Sequence, residues 1–254
     1  MNEKKGAKEN VRRRRIFLCA CGLLLCGTVF AVGIMHGRGA EETPQIPEPP
    51  LATEPVAEEP PAPAARTDYS DVALLGNSQI DSFRIYDTLP GADYLYRVGL
   101  TVKTVFEKPM VNDTVPVIDK LNEKQYGYIF LLFGENELGW SYPEIFVQEY
   151  GKVIDAARER QPEAKLYIQS ILPVSAKVSQ KNEDNTNNAR IEEYNGMLRT
   201  LAEEKSVEYL DVAAIMKDET GCLPDEASVD GVHPGKAYCQ KWADLIAAQI
   251  EEDK

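Results

Sequence analysis

Histidine is nearly missing from this chain: its 254 residues hold two, His36 and His233. A metal centre built from several imidazoles is thereby excluded. Any acid–base chemistry that needs an imidazole in the body of the chain falls to His233. Cysteine is also scarce. Past Cys26 only Cys222 and Cys239 remain, and no C-x-x-C spacing occurs, so a structural zinc is not expected. A disulfide between those two thiols is left open. Positive charge is in deficit, with Lys+Arg 28 against Asp+Glu 41 and a net charge of -13. Such a chain is a poor partner for phosphate backbones, so a general nucleic-acid binder is not expected. No internal repeat is visible. What is present in quantity is apolar sequence, 43% of the residues, which suffices for a core and excludes a wholly disordered chain.

The charge is segregated. Residues 1–38 hold 8 Lys+Arg against 2 Asp+Glu, residues 39–66 hold 1 against 6, and residues 67–254 hold 19 against 33. Ile16 to Met35 is a run of 20 residues without charge, preceded by Arg12, Arg13, Arg14 and Arg15. At about 1.5 Å per residue it spans the roughly 30 Å of a bilayer's hydrocarbon core. The Arg cluster predicts a cytoplasmic N-terminus and an extracellular body. An uncleaved signal anchor is the expected form. A cleaved signal peptide and a lipoprotein modified at Cys26 are the alternatives, and all three export the body. Residues 40–66 carry 8 of the 16 prolines and read as an extended, disordered spacer. The expected organisation is therefore a basic tail 1–15, a membrane segment 16–36 contacting the lipid bilayer, a Pro/Glu-rich linker 37–66 and a folded domain 67–254.

Within that domain, short apolar runs alternate with helical patterns. Strands are predicted at Asp71–Leu75, Asp93–Val98, Tyr128–Phe133, Lys165–Leu172 and Val207–Val212. Helices are predicted around Gln79–Tyr86, Val115–Lys124, Pro143–Gln161, Asn187–Lys205 and Gly235–Glu251. This alternation predicts one α/β domain with a mainly parallel sheet. In such sheets chemistry sits beyond the C-terminal strand ends. Three of those loops hold Gly near polar residues: 76–79 (GNSQ), Gly99, and 134–137 (GENE).

His233 lies in Asp230-Gly231-Val232-His233-Pro234. Three residues apart in a turn, the Asp230 carboxylate could reach the ring's Nδ1 and leave Nε2 to take a proton. A hydroxyl at a strand end would complete the row, and Ser78 stands directly after the first strand. Each residue alone has an ordinary reading: Ser78 as a helix cap, Asp230 and His233 as a hydrogen-bonded loop.

Four blocks together resemble the SGNH/GDSL hydrolases, serine esterases on a three-layer αβα flavodoxin-like fold. Leu74-Leu75-Gly76-Asn77-Ser78 resembles the first block, Gly99 the second, Gly134-Glu135-Asn136-Glu137 the third and Asp230-Gly231-Val232-His233 the fourth. The sequence departs from the pattern in three places. Asn77 stands for the usual Asp before the Ser, Gln79 for the Leu after it, and Glu137 for the Asp of the third block. The resemblance, joined to the basic head, the apolar run and the Pro-rich neck, implies a membrane-anchored bacterial type on a Gram-positive-type cell surface. It also implies a catalytic Ser78, His233 and Asp230, an oxyanion hole from Ser78, Gly99 and Asn136, and no cofactor or metal. Asn77, Gln79, Glu135 and Trp140 are possible substrate contacts, and Tyr142 could line a sugar subsite. Glu135, Glu137 and Asp225 read more simply as solvated surface than as a glycosidase pair. Arg97 and Lys236 have no assigned task. The expected activity is hydrolysis of O-acyl esters, O-acetyl foremost, on carbohydrate or cell-wall polymer. An O-acyltransferase, a non-catalytic glycan-binding module and a lipase remain as alternatives.

Overall fold

A computed structural model of the chain describes residues 66–254. The expected tail, membrane segment and linker, residues 1–65, lie outside the described residues. Among the described residues no helix is long and apolar enough to cross a membrane.

Five strands form one sheet: β1 (Val72–Gly76), β2 (Asp93–Tyr96), β3 (Tyr128–Leu132), β4 (Lys165–Gln169) and β5 (Glu208–Leu210). All neighbours are parallel, in the order β2-β1-β3-β4-β5. This is the doubly wound flavodoxin-like order, whose direction of winding reverses at β1 and β3. Both central strands are apolar throughout because both of their faces are covered. Alternate side chains go to opposite cores. Ala73, Leu75, Ile129 and Leu131 meet α2 (Pro143–Arg160) and α4 (Asn188–Lys205) through Phe146, Tyr150, Tyr194 and Leu198. Val72, Leu74, Phe130 and Leu132 meet α1 (Gln79–Tyr86) and α6 (Lys236–Glu252) through Ile80, Phe83, Trp242 and Ile246. The result is a three-layer α/β/α sandwich. Trp242 joins the layers with a polar contact as well, donating from Nε1 to Gln169 Oε1 at 2.6 Å.

Three elements differ from expectation. The segment read as a helix over 115–124 is a 3₁₀ turn, Val117–Asn122, opened by Pro116. Its apolar residues Val117, Ile118 and Leu121 are buried all the same. Two short helices, α3 (Ala176–Lys181) and α5 (Val212–Met216), were not anticipated. The second shortens the last strand to three residues, because the Asp211 side chain accepts from Ala214 N and starts a helix there. Arg66, counted with the linker, ion-pairs with Asp71 and lies 5.0 Å from the Tyr69 ring centroid.

The switch point leaves no slack at the end of β1. A methyl group on Gly76 would stand 2.2 Å from Leu132 O, a backbone atom of β3. Gly76→Ala must therefore push apart the two strands that carry the adjoining loops. It should cost about 2 kcal/mol or more, read as a fall in denaturation midpoint. A midpoint equal to that of the natural protein would show that the strands separate freely.

Candidate active site

The loops after β1, β2 and β3 and the loop before α6 meet at the C-terminal edge of the sheet. Ser78 occupies the N-cap position of α1, yet its side chain caps nothing. The capping is done by Asn77, whose Oδ1 accepts from Gln79 N at 3.0 Å. The Ser78 hydroxyl is thus free for another partner, and its Oγ lies 3.0 Å from His233 Nε2, 155 residues away in sequence.

The imidazole is held from behind. Asp230 Oδ2 lies 2.8 Å from His233 Nδ1. Asp230 Oδ1 accepts from Val232 N, His233 N and Ser228 Oγ at 2.8–2.9 Å. Partial burial pushes the Asp230 carboxyl up, but these hydrogen bonds outweigh it and hold the carboxyl well below the usual carboxylate range. An ionised acceptor at Nδ1 selects the tautomer with its proton there, leaving Nε2 to accept from the Ser78 hydroxyl. Cys239 is buried, and its thiol donates to Pro234 O at 3.3 Å, next to His233. Cys222 and Cys239 are both free thiols, so the disulfide left open above is not formed.

Gly99 follows β2 at φ +71, a conformation that costs side-chain-bearing residues about 1 kcal/mol or more. The turn there closes through Leu100 N to Arg97 O at 3.1 Å. Asn136 reaches the same turn, donating from Nδ2 to Leu100 O at 2.9 Å. An amide has a second N–H, and the Asn136 side chain is exposed. Among the described residues, the backbone N–H groups of Ser78 and Gly99 donate to no other group.

The carboxylates of the third block are not the solvated surface they were expected to be. Glu137 is fully buried. Its Oε1 accepts from Val102 N at 2.8 Å and its Oε2 from Gly134 N at 3.0 Å, so one side chain ties the Gly99 loop to the Asn136 loop. Burial pushes its carboxyl up to about 7, against the opposing pull of those two N–H groups. Glu135 is half-buried, and burial raises its carboxyl too, while the nearby His233 acts in the opposite sense. The reach of Glu137 back to Gly134 N is half of a capping box, a three-residue spacing that the sequence displays. Its second partner, Val102, is 35 residues away and has no such signature.

The remaining predicted contacts divide. Asn77 and Gln79 are 1% and 4% exposed and bond inward, not toward a ligand. Trp140 packs on the α2–α4 core, with Lys103 Nζ 5.2 Å from its ring. Tyr142 is exposed. Arg97 donates to Pro109 O at 2.8 Å. Asp225 lines a cavity of about 460 Å³ between α3 and the Asp230 loop, with Ser175, Lys177, Val229 and Asp230 among its walls but not Ser78. Among the described residues no group of side chains could hold a metal ion.

A model of the GDSL-like lipase/acylhydrolase family matches residues 84–240, more than half of the chain. The match contains Gly99, Asn136, Asp230 and His233 and begins just after Ser78. No curated protein matches. Among solved structures, a GDSL-like lipase from Bacteroides thetaiotaomicron is 15% identical with a TM-score of 0.55, covering 74% of this chain and 89% of that one. A carbohydrate esterase family 3 protein from Talaromyces cellulolyticus is 17% identical with a TM-score of 0.50, covering 74% and 97%. An acetyl xylan esterase is 14% identical with a TM-score of 0.50, covering 70% and 98%. At these identities the likeness is one of fold.

The Glu137 environment has a measurable consequence. Its folded-state value lies above the ordinary 4.5, so between pH 4.5 and about 7 the folded protein holds a proton that the unfolded chain releases. The stability this contributes is complete below 4.5 and is lost as the pH rises through about 7, a change on the order of 3 kcal/mol. The difference in unfolding free energy between the natural protein and Glu137→Gln should therefore shift against the natural protein from pH 5 to pH 8. A difference independent of pH would mean that Glu137 titrates as it does in water.

Proposed function

This chain belongs to the GDSL-like lipase/acylhydrolase family, and from that premise we propose that it is a serine esterase removing short O-acyl groups, acetyl foremost, from carbohydrate or cell-wall polymer. The observation that carries the reading is the continuous row from Asp230 through His233 to Ser78, with contacts of 2.8 and 3.0 Å.

In this reading His233 Nε2 takes the Ser78 proton as Oγ attacks the ester carbonyl. Asp230 keeps the ring oriented and offsets the charge of the imidazolium. The tetrahedral oxyanion is met by the Ser78 and Gly99 N–H groups and by the Asn136 amide. Collapse expels the sugar hydroxyl, which takes the proton back from Nε2. Water then enters and gives a proton to Nε2 as its oxygen attacks the acyl carbonyl, and collapse releases the acid while Ser78 Oγ takes that proton back from Nε2.

The substrate class is supported by exposure. Gly99 and Asn136 are exposed, Val98 is 68% exposed, and Val229 stands fully in solvent on the Asp230 loop. A half-buried nucleophile bordered by such exposed residues suits a small acyl group on a bulky carrier better than a long chain that needs an enclosed apolar channel. The esterase names of two fold relatives point the same way. Extracellular placement on a membrane tether, read from the basic head, the apolar run and the Pro-rich neck, is part of this proposal and rests on the sequence.

The full-length protein should hydrolyse p-nitrophenyl acetate faster than the octanoate. Ser78→Ala should lower kcat by about 10⁴-fold or more, and Asn136→Ala by about 10²–10³. Turnover by Ser78→Ala equal to that of the natural protein would refute the esterase reading, and preference for octanoate would refute the short-acyl part. A sugar acceptor that becomes acylated in the same assay would identify a transferase instead.

A further inference from the structure

Gln79 directly follows the nucleophile at the first position of α1 and is 4% exposed. Its carboxamide nitrogen lies 2.9 Å from Glu135 Oε2 and 3.2 Å from Val232 O. Glu135 precedes Asn136, and Val232 precedes His233. One amide nitrogen, with two N–H groups to give, therefore touches the chain neighbours of the base and of the oxyanion amide while being the chain neighbour of the nucleophile. The contacts span 56 and 153 residues of sequence. The backbone N–H of Gln79 is itself fixed by Asn77 Oδ1.

The partners are matched chemically. A half-buried carboxylate needs a donor, and Gln79 supplies one to Glu135. The Leu that the resemblance leads one to expect at this position has no donor. Its appearance here would strand the Glu135 carboxylate and release Val232 O. The amide reaches Glu135 at 2.9 Å and Val232 O at 3.2 Å, so one buried side chain braces both loops.

We infer that Gln79 is a positioning residue that sets the Ser78–His233 contact, with Glu135 as its matched acceptor. The inference rests on the esterase reading for its kinetic test and on geometry for its other test. A misplacement of about 1 Å at reacting groups costs about 10²-fold in rate, so loosening this tie is felt in chemistry more than in substrate binding.

In the full-length protein, Q79L and Q79E should each lower kcat on p-nitrophenyl acetate by about 10–100-fold with little change in KM. The rate at which a fluorophosphonate labels Ser78 should fall in parallel. E135A should lose as much, whereas E135Q, whose amide oxygen accepts from the same N–H, should recover about ten-fold over E135A. That comparison decides the matter even if a Gln79 variant melts early. A further readout needs no turnover. The Nδ1 proton of His233, bonded to Asp230, gives a low-field proton resonance, which Q79L should shift or broaden. Labelling and kcat of Q79L at the natural protein's level, equal losses in E135A and E135Q, or an unaltered His233 resonance would each overturn the inference. A natural protein that neither turns over esters nor labels would instead overturn the esterase reading, and the resonance would still judge the positioning of His233.

Discussion

Ser78 and Asn136 stand on loops that leave the sheet from neighbouring strands, so their separation depends on how closely β1 and β3 approach. These strands are hydrogen-bonded along their whole length, from Val72 opposite Tyr128 to Gly76 opposite Leu132. At the last pair the backbone of β3 occupies the space that a side chain on Gly76 would need. The Ser78 loop and the Asn136 loop leave the sheet from these adjoining ends, so their separation is inherited from the strand spacing. The His233 loop is referred to the same edge by α6, whose Trp242 is locked against β4 through Gln169 and packs edge-on to Phe83 of α1 at 4.4 Å. The sheet thus supplies coarse placement to within a side chain's reach. Buried polar ties supply the rest.

Those ties are costly to build, and their cost explains where they occur. A buried carboxylate without partners is strongly unfavourable, and donors recover that loss only when their geometry is fixed. Glu137 receives two backbone N–H groups from different loops, and Glu135 receives the amide of Gln79. Even so, burial dominates and both carboxyls are raised. Their retention beside Asn136 is consistent with a gain in loop geometry that apolar residues in the same places could not provide, since neither Leu nor Val can accept a backbone N–H.

The parts of this arrangement that could be read from sequence are the local ones. The β1 and β3 runs are apolar at every position, which only a strand covered on both faces or a buried helix allows, and their flanking glycines choose the strand. Asp230 and His233 are three residues apart, so one turn suffices to join them. Ser78 is legible as a hydroxyl at the end of the first strand, but no periodicity links it to His233, and the resemblance among ordered blocks is what joins the two. Elsewhere local signals misled for identifiable reasons. Val117, Ile118 and Leu121 fit an α-helix and a 3₁₀ turn equally well. Val212 continues an apolar run, but the Asp211 side chain intervenes as a helix cap. An acidic residue is on the surface by default, and nothing within the third block announces that Val102 will meet Glu137 in the core.

Electrostatics bears on the choice of substrate. Residues 67–254 carry 33 acidic against 19 basic side chains, and Asp230, one of the 33, stands at the site. Such a field opposes the approach of phosphate-bearing or carboxylate-bearing substrates and opposes the developing oxyanion. The donors proposed for that oxyanion are all neutral, two backbone N–H groups and one amide, so their effect depends on orientation and not on net charge. A neutral ester on a neutral carrier meets the least resistance in this environment. For the activity proposed here, this charge argument favours an acetylated sugar over an anionic phospholipid, independently of the exposure of the surrounding loops.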